Sequence, residues 1–234
     1  RRSAGWRRLA WHRRVTKRPR AANVCSVTEL GLYAPDYASV KTIRCSPPSW
    51  MAHAVLVEKG AAHRVEWLSF AKGEHKTPAM LARNPRGTIP VLTDGAISVH
   101  ETLAILQYVE HRVADPPLWL HAAPALALTR LHESASLKDA GMALFVALMR
   151  DADADDLWDA LRSELVHWER YLSAHAFVAG EAITLADFCV FTYLATAVEL
   201  GLELDASSAL AGFYARMRAR PSIVATWPTT WGAA

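Results

Sequence analysis

Four short stretches carry residue types that can do chemistry together. Ser46 stands between a strand-like stretch and Pro47-Pro48. A hydroxyl and free backbone N–H groups at a helix start favour an anion placed there, and a thiolate held so has its pKa drawn below about 8.5. Serine is equally at home there as a plain turn or cap residue. Thr88-Ile89-Pro90 comes before a strand. A cis proline there would turn the backbone of Ile89 outward to pair with an extended peptide, although a trans proline opening a strand is the commoner arrangement. Glu101-Thr102 begins a helix. Its carboxylate suits a ligand ammonium, and its hydroxyl and N–H suit a ligand carboxylate, yet acids and hydroxyls also favour helix starts for their own sake. Glu74-His75-Lys76 lies in a polar loop and offers donors for a second carboxylate, or is simply a solvated charge run.

The elements that must position these groups follow from local pattern. Residues 40–45 read as a first strand, and 49–59 as a helix closed by Gly60. Val65-Glu66-Trp67-Leu68 alternates as a second strand, and residues 79–83 suit a short helix. Residues 88–92 and 97–99 flank the turn signal Thr93-Asp94-Gly95-Ala96, and 101–112 form an amphipathic helix. Asp115-Pro116-Pro117 stiffens a boundary. Beyond it, residues 124–150, 155–174, 184–200 and 207–219 are helical by period, with no convincing strand. Thr184 and Asp187 have capping-box spacing and a structural role, as does Pro90. The expected division is a basic extension over 1–38, an α/β unit over 39–115 and an all-helical unit over 122–234.

Each signal is ordinary alone, but their order and spacing are not. Ser46-Pro47-Pro48-Ser49-Trp50, Glu58-Lys59-Gly60, Gly73-Glu74-His75-Lys76, Asn84-Pro85-Arg86-Gly87, Ile89-Pro90-Val91-Leu92 and Glu101-Thr102-Leu103 together resemble a glutathione S-transferase N-terminal domain. In the helical half, Phe177-Val178-Ala179-Gly180, Thr184–Asp187 and Arg220-Pro221-Ser222-Ile223 with Trp227-Pro228 continue the resemblance, which spans about residues 41–232 and is most similar to the serine-type rho class. The resemblance implies a thioredoxin-like domain followed by an all-α domain. It implies glutathione as co-substrate, with Ser46 at the thiolate, Thr88 and Ile89 beside the peptide, Glu101 and Thr102 at the γ-glutamyl end, and His75 and Lys76 at the glycine carboxylate. A hydrophobic electrophile would rest along the helix of 124–150 near Leu144, Phe145 and Met149. The implied role is conjugation in detoxification by a homodimer; a non-catalytic subunit of a larger assembly is the alternative. Two departures bear on this: Met51 stands where the family carries a base, and Cys45 precedes Ser46, which leaves glutathione-dependent peroxide or disulfide reduction open. Tyr33 and Tyr37 become rival hydroxyls if the first strand lies upstream of residue 40.

Composition narrows the classes. The 234 residues are 52% hydrophobic and 21% charged, enough for a real core. The net charge of +3 conceals an asymmetry, because nine of the 26 Lys and Arg fall in residues 1–20. The remaining 17 face 23 acids, so the globular part is mildly acidic and is not expected to bind nucleic acid. The acid-free, Arg-rich stretch 1–28 resembles an organellar transit peptide. That reading implies chloroplast or mitochondrion; a basic tail, a docking arm or a translated upstream stretch implies the cytoplasm. Cys25, Cys45 and Cys189 have no paired spacing, so neither a disulfide framework nor a metal site is expected.

Overall fold

The computed structural model describes residues 29–40, 42, 44–119 and 123–231. Cys25 and the transit-segment reading of 1–28 lie outside them. The first unit is a four-stranded sheet in the order β2-β1-β3-β4, from β1 (Leu30–Pro35), β2 (His63–Leu68), β3 (Val91–Asp94) and β4 (Ile97–His100). β1 and β2 are parallel, and β3 runs antiparallel to both β1 and β4. Helices α1 (Pro47–Glu58) and α3 (Thr102–Arg112) and the short α2 (Pro78–Arg83) complete it. The expected first strand is corrected here. β1 lies ten residues upstream of residue 40, inside the stretch assigned to the extension, and Thr42 and Arg44 have φ of 62° and 49°. Left-handed residues of that kind cannot continue an extended strand. Leu30, Leu32 and Ala34 instead alternate into the core, and Gly31 leaves room for the Thr93 hydroxyl, which sits 2.6 Å from where a Cβ would be.

The second unit is helical: α4 (Pro124–Met149), α5 (Asp155–Leu172), α6 (Leu185–Glu199), α7 (Ala209–Arg218) and α8 (Pro221–Thr226). α5 is one-sided, burying Leu161, Leu165, Trp168 and Leu172 at helical spacing. α6 is buried from Leu185 to Ala197 and forms the centre of the core. α1 packs against α6 and α8 on one side and the sheet on the other, which explains why Ala52, Ala54, Val55 and Leu56 are all buried.

Two fastenings hold the units together, and a third fixes the linker. Fully buried Trp50 meets Phe191, Trp227 and Trp231 edge-on, and its Nε1 donates to Thr226 Oγ1 at 3.1 Å. Burial of a large side chain of this kind contributes about 1.5–3 kcal/mol. Glu58 on α1 pairs with Arg220 and accepts from Ser222 Oγ, so Glu58-Lys59-Gly60 and Arg220-Pro221-Ser222 are two sides of one joint. Lys59 buries its ammonium against Glu110 at 2.6 Å and the Ala114 carbonyl at 3.1 Å, tying the linker to α1. The capping box also forms: Asp187 accepts from the Thr184 N–H at 2.7 Å, the Thr184 hydroxyl at 2.9 Å and the Val178 N–H at 2.8 Å. Burial raises its carboxyl to about 6, against the pull of those three donors.

Candidate functional site

Ser46 is the N-cap residue of α1, half-buried, with extended backbone. Its hydroxyl does not cap the helix. It lies 3.1 Å from the hydroxyl of Ser49, which is fully buried. The sequence reading placed backbone N–H donors here, and that is corrected by the two residues that follow. Pro47 and Pro48 have no N–H, and the Trp50 N–H is already bonded to the Ser46 carbonyl at 2.8 Å. The positive end of α1 therefore supplies a field, while the Ser46 hydroxyl supplies the donor. Ser49 was not singled out from sequence; its spacing of three from an N-cap serine was the available signal.

Ser46 borders a cavity of roughly 500 Å³ walled by Val40, Cys45, Phe70, Ile89, Met142 and Met149. A second hollow of about 400 Å³ is lined by Arg86, Thr88, Ile89, Pro90, Glu101 and Thr102. Pro48 and Ile89 line both, so the two hollows adjoin as a trough, Ser46 bordering the first and Glu101-Thr102 the second. Ile89-Pro90 is cis, and the paired strand starts only at Val91, which leaves Ile89 outside the ladder. Buried Asn84 steadies this edge by donating to the Thr88 carbonyl at 2.8 Å and the Thr88 hydroxyl at 3.0 Å.

Glu101 precedes α3 with φ 69° and ψ 118°, a conformation that costs a non-glycine residue about 1–3 kcal/mol. Its side chain is 65% exposed at the trough, with Arg86 Nε 3.8 Å away. Arg86 is a further trough residue that the sequence reading did not assign. Thr102 is the first residue of α3, where the N–H groups are free of helical partners.

His75 and Lys76 form a 3₁₀ turn and line neither hollow directly. They abut it through neighbours. The His75 ring meets Phe70 at 4.4 Å, and a Cβ at Gly87, φ 61°, would lie 3.6 Å from Lys76 Cγ. His75 Nδ1 is sealed from solvent without a partner among the described residues. Burial and then the Lys76 charge lower its pKa, which favours the neutral ring.

Of the rival groups, Tyr33 leaves the site, while Tyr37 and Cys45 are sealed by burial. Tyr33 packs on the far face of the sheet with Met80 and Val91, under the Arg83 guanidinium. Tyr37 is buried edge-on to Trp67, and burial raises its hydroxyl far above 10.0. Cys45 borders the large cavity, but it is fully buried and its thiol is pushed well above 9.0 by that burial. Leu144 and Phe145, expected beside an electrophile, sit in the core instead; Met142 and Met149 take that wall. Met51 is itself buried in the core. Among the described residues no group of three His, Cys, Asp or Glu could hold a metal ion.

Two family models match the chain: the glutathione S-transferase N-terminal domain over residues 45–112 and the C-terminal domain over 135–221. Glutathione S-transferase A of Pleuronectes platessa is 33% identical over 204 residues, covering 80% of this chain and 89% of its own. Glutathione S-transferase F9 of Arabidopsis thaliana is 30% identical over 179 residues, covering 68% and 76%. The crystal structure of a glutathione S-transferase from the Antarctic clam Laternula elliptica superposes with a TM-score of 0.76 at 31% identity, over 88% of this chain and 95% of that one.

Proposed function

The chain belongs to the glutathione S-transferase family, and from that premise we propose that its trough binds glutathione extended between Ser46 and Glu101. It is a glutathione transferase, with glutathione as co-substrate. The observation that supports the site assignment is the adjacency of the two hollows: Ser46 borders one, Glu101-Thr102 the other, and Pro48 and Ile89 line both. In this reading Glu101 takes the γ-glutamyl ammonium and Thr102 the adjoining carboxylate. Thr88 and Ile89 run alongside the peptide, and its backbone pairs with that of Ile89. Lys76 supplies charge for the glycine carboxylate, and His75 an N–H.

The bound thiol gives its proton to solvent. Ser46 donates to the thiolate that remains, with Ser49 holding the serine oxygen in place. The sulfur pair then attacks the electrophilic carbon. A C–S bond forms, the bond to the leaving group breaks, and that group departs with its electron pair. Val40, Phe70, Met142 and Met149 give the electrophile an apolar, polarizable wall, suited to small aromatic or otherwise hydrophobic substrates. A homodimer is the assembly this family membership supports. Sedimentation would test it, with a mass near 52 kDa expected (twice the 25.8 kDa chain) and 25.8 kDa the refuting result.

The test is turnover of glutathione with an activated aryl halide, wild type beside Ser46→Ala. Full turnover in Ser46→Ala refutes the role of Ser46. A chain that ignores immobilised glutathione altogether is a borrowed scaffold acting as a subunit.

A further inference from the structure

A third cavity, of about 240 Å³, lies between the two units, lined by Met51, Leu103, Ala135, Cys189 and Tyr193, with Ser134 and Lys138 at its polar side. Its mouth is shared with the trough, because Glu101 and Thr102 line both. No step proposed above uses it.

Its chemistry centres on one hydroxyl. Tyr193 is 2% exposed and makes no hydrogen bond to any described residue. The described side-chain atoms sealed from solvent without a partner are Tyr37 Oη, His75 Nδ1 and His100 Nδ1. Tyr193 Oη is not among them, so its small exposed area opens into the cavity. The ring cannot easily turn away. It lies face-on to Phe145 at 6.4 Å, and a Cβ at Gly141 would come within 3.2 Å of it. The other polar groups are occupied: Ser134 donates to the Leu131 carbonyl at 2.6 Å, Lys138 pairs with Asp139 at 3.1 Å, and Glu101 faces Arg86.

We propose that this cavity is a second small-molecule site that takes a neutral monocyclic phenol, its hydroxyl bonded to Tyr193 Oη and its ring against Met51, Leu103 and Ala135. Size supports it, since a dry cavity of about 150 Å³ already admits benzene. The lining supports it too: Met51, Leu103, Ala135 and Cys189 offer a charged head group no partner inside, while the Lys138 and Glu101 charges stay at the exposed rim. Because Glu101 and Thr102 form the shared mouth, an occupied cavity changes the amino end of the glutathione groove and leaves the electrophile wall alone.

The test uses the full chain and phenol itself. Calorimetry measures phenol binding to wild type, Tyr193→Phe and Ala135→Leu, so the readout needs no turnover and stands or falls separately from the catalytic assignment. The expected result is one saturable site, weakened roughly three- to tenfold in Tyr193→Phe, the worth of one neutral hydrogen bond. Binding is lost in Ala135→Leu, which fills the space. Phenol also shifts KM for glutathione without competing with the aryl halide. Three results overturn the proposal: no saturable binding, which leaves a void for water only; equal affinity in Tyr193→Phe; or simple competition with the aryl halide, which puts phenol in the large cavity. Tyr193→Phe is isosteric and retains the core packing, so it decides the matter even if Ala135→Leu fails to fold.

Discussion

Replacing Ser46 by alanine removes the side-chain donor that the N-cap of α1 brings to a thiolate. Pro47 and Pro48 contribute no N–H, and the Trp50 N–H is committed to the Ser46 carbonyl at 2.8 Å, so none of these three substitutes for it; the Ser49 hydroxyl stands 3.1 Å further back. A hydrogen bond to a charged acceptor is worth about 1.5–3 kcal/mol. At about 1.36 kcal/mol per unit, that corresponds to roughly one to two pKa units on the bound thiol. The thiol would therefore titrate near about 6.5–7.5 in the wild type, below the free value of about 8.5. In Ser46→Ala it returns toward 8.5, and at pH 6.5 its thiolate fraction falls by roughly ten- to fiftyfold. The more basic thiolate is intrinsically the better nucleophile, with a Brønsted slope of about 0.4–0.5, which recovers part of the loss. The net expectation is a fall in kcat of roughly three- to eightfold at pH 6.5 that closes by about pH 8, with KM for glutathione little changed. The assay is a pH profile of aryl-halide conjugation for both proteins. Parallel profiles, with the same inflection and the same ratio at every pH, would refute the reasoning even if the variant were slow.

Other perturbations separate the remaining parts. Glu101→Gln removes a charge-assisted contact to the γ-glutamyl ammonium, worth about 1.5–3 kcal/mol; steady-state kinetics should show KM for glutathione up by roughly tenfold or more and kcat nearly kept. Cys45→Ser should leave conjugation within about twofold of wild type, because a thiol held that far above its ordinary pKa has almost no thiolate to offer; loss of activity would reinstate a thiol mechanism. Asp187→Ala leaves the buried Val178 and Thr184 N–H groups without acceptors and should cost about 2–5 kcal/mol in denaturant unfolding. Asp187 also gives stability a pH slope. Its folded carboxyl titrates at about 6, above the ordinary 3.8, so the folded chain holds the extra proton between those values. This group's contribution is therefore fullest below the unfolded pKa and is lost as pH rises through about 6. The slope should vanish in Asp187→Ala.

Much of this was readable in the residues. The prolines at 47 and 48, the turn at Asp94-Gly95 and the Thr184–Asp187 spacing each report a local backbone need, and local needs are legible in sequence. β1 was not, because its partners are β2 and β3, far away in the chain. The run Leu30–Pro35 is short and contains Gly31 and Pro35. The segment Asp36–Cys45 then carries β-branched residues at 40, 42 and 43 that imitate a strand, and only the positive φ of Thr42 and Arg44 excludes one. Of the expected electrophile wall, Met149 reaches the cavity and Leu144 and Phe145 do not, for a related reason. A helical period says which residues share a face, but α4 packs against both α5 and α6, so Leu144 and Phe145 turn to the core while Met142 and Met149 reach the cavity. The burial of His75 Nδ1, which lowers the pKa of its ring, involves a contact with Phe70 and has no local signature.

A crystal structure of the protein with glutathione bound tests the central claim most directly. The account predicts the sulfur within hydrogen-bonding reach of Ser46 Oγ, the amino end at the Glu101 carboxylate, and the backbone of the tripeptide paired with that of Ile89. Glutathione lying in the reverse direction, or with its sulfur turned to Tyr37 or Cys45 and away from Ser46, would contradict it.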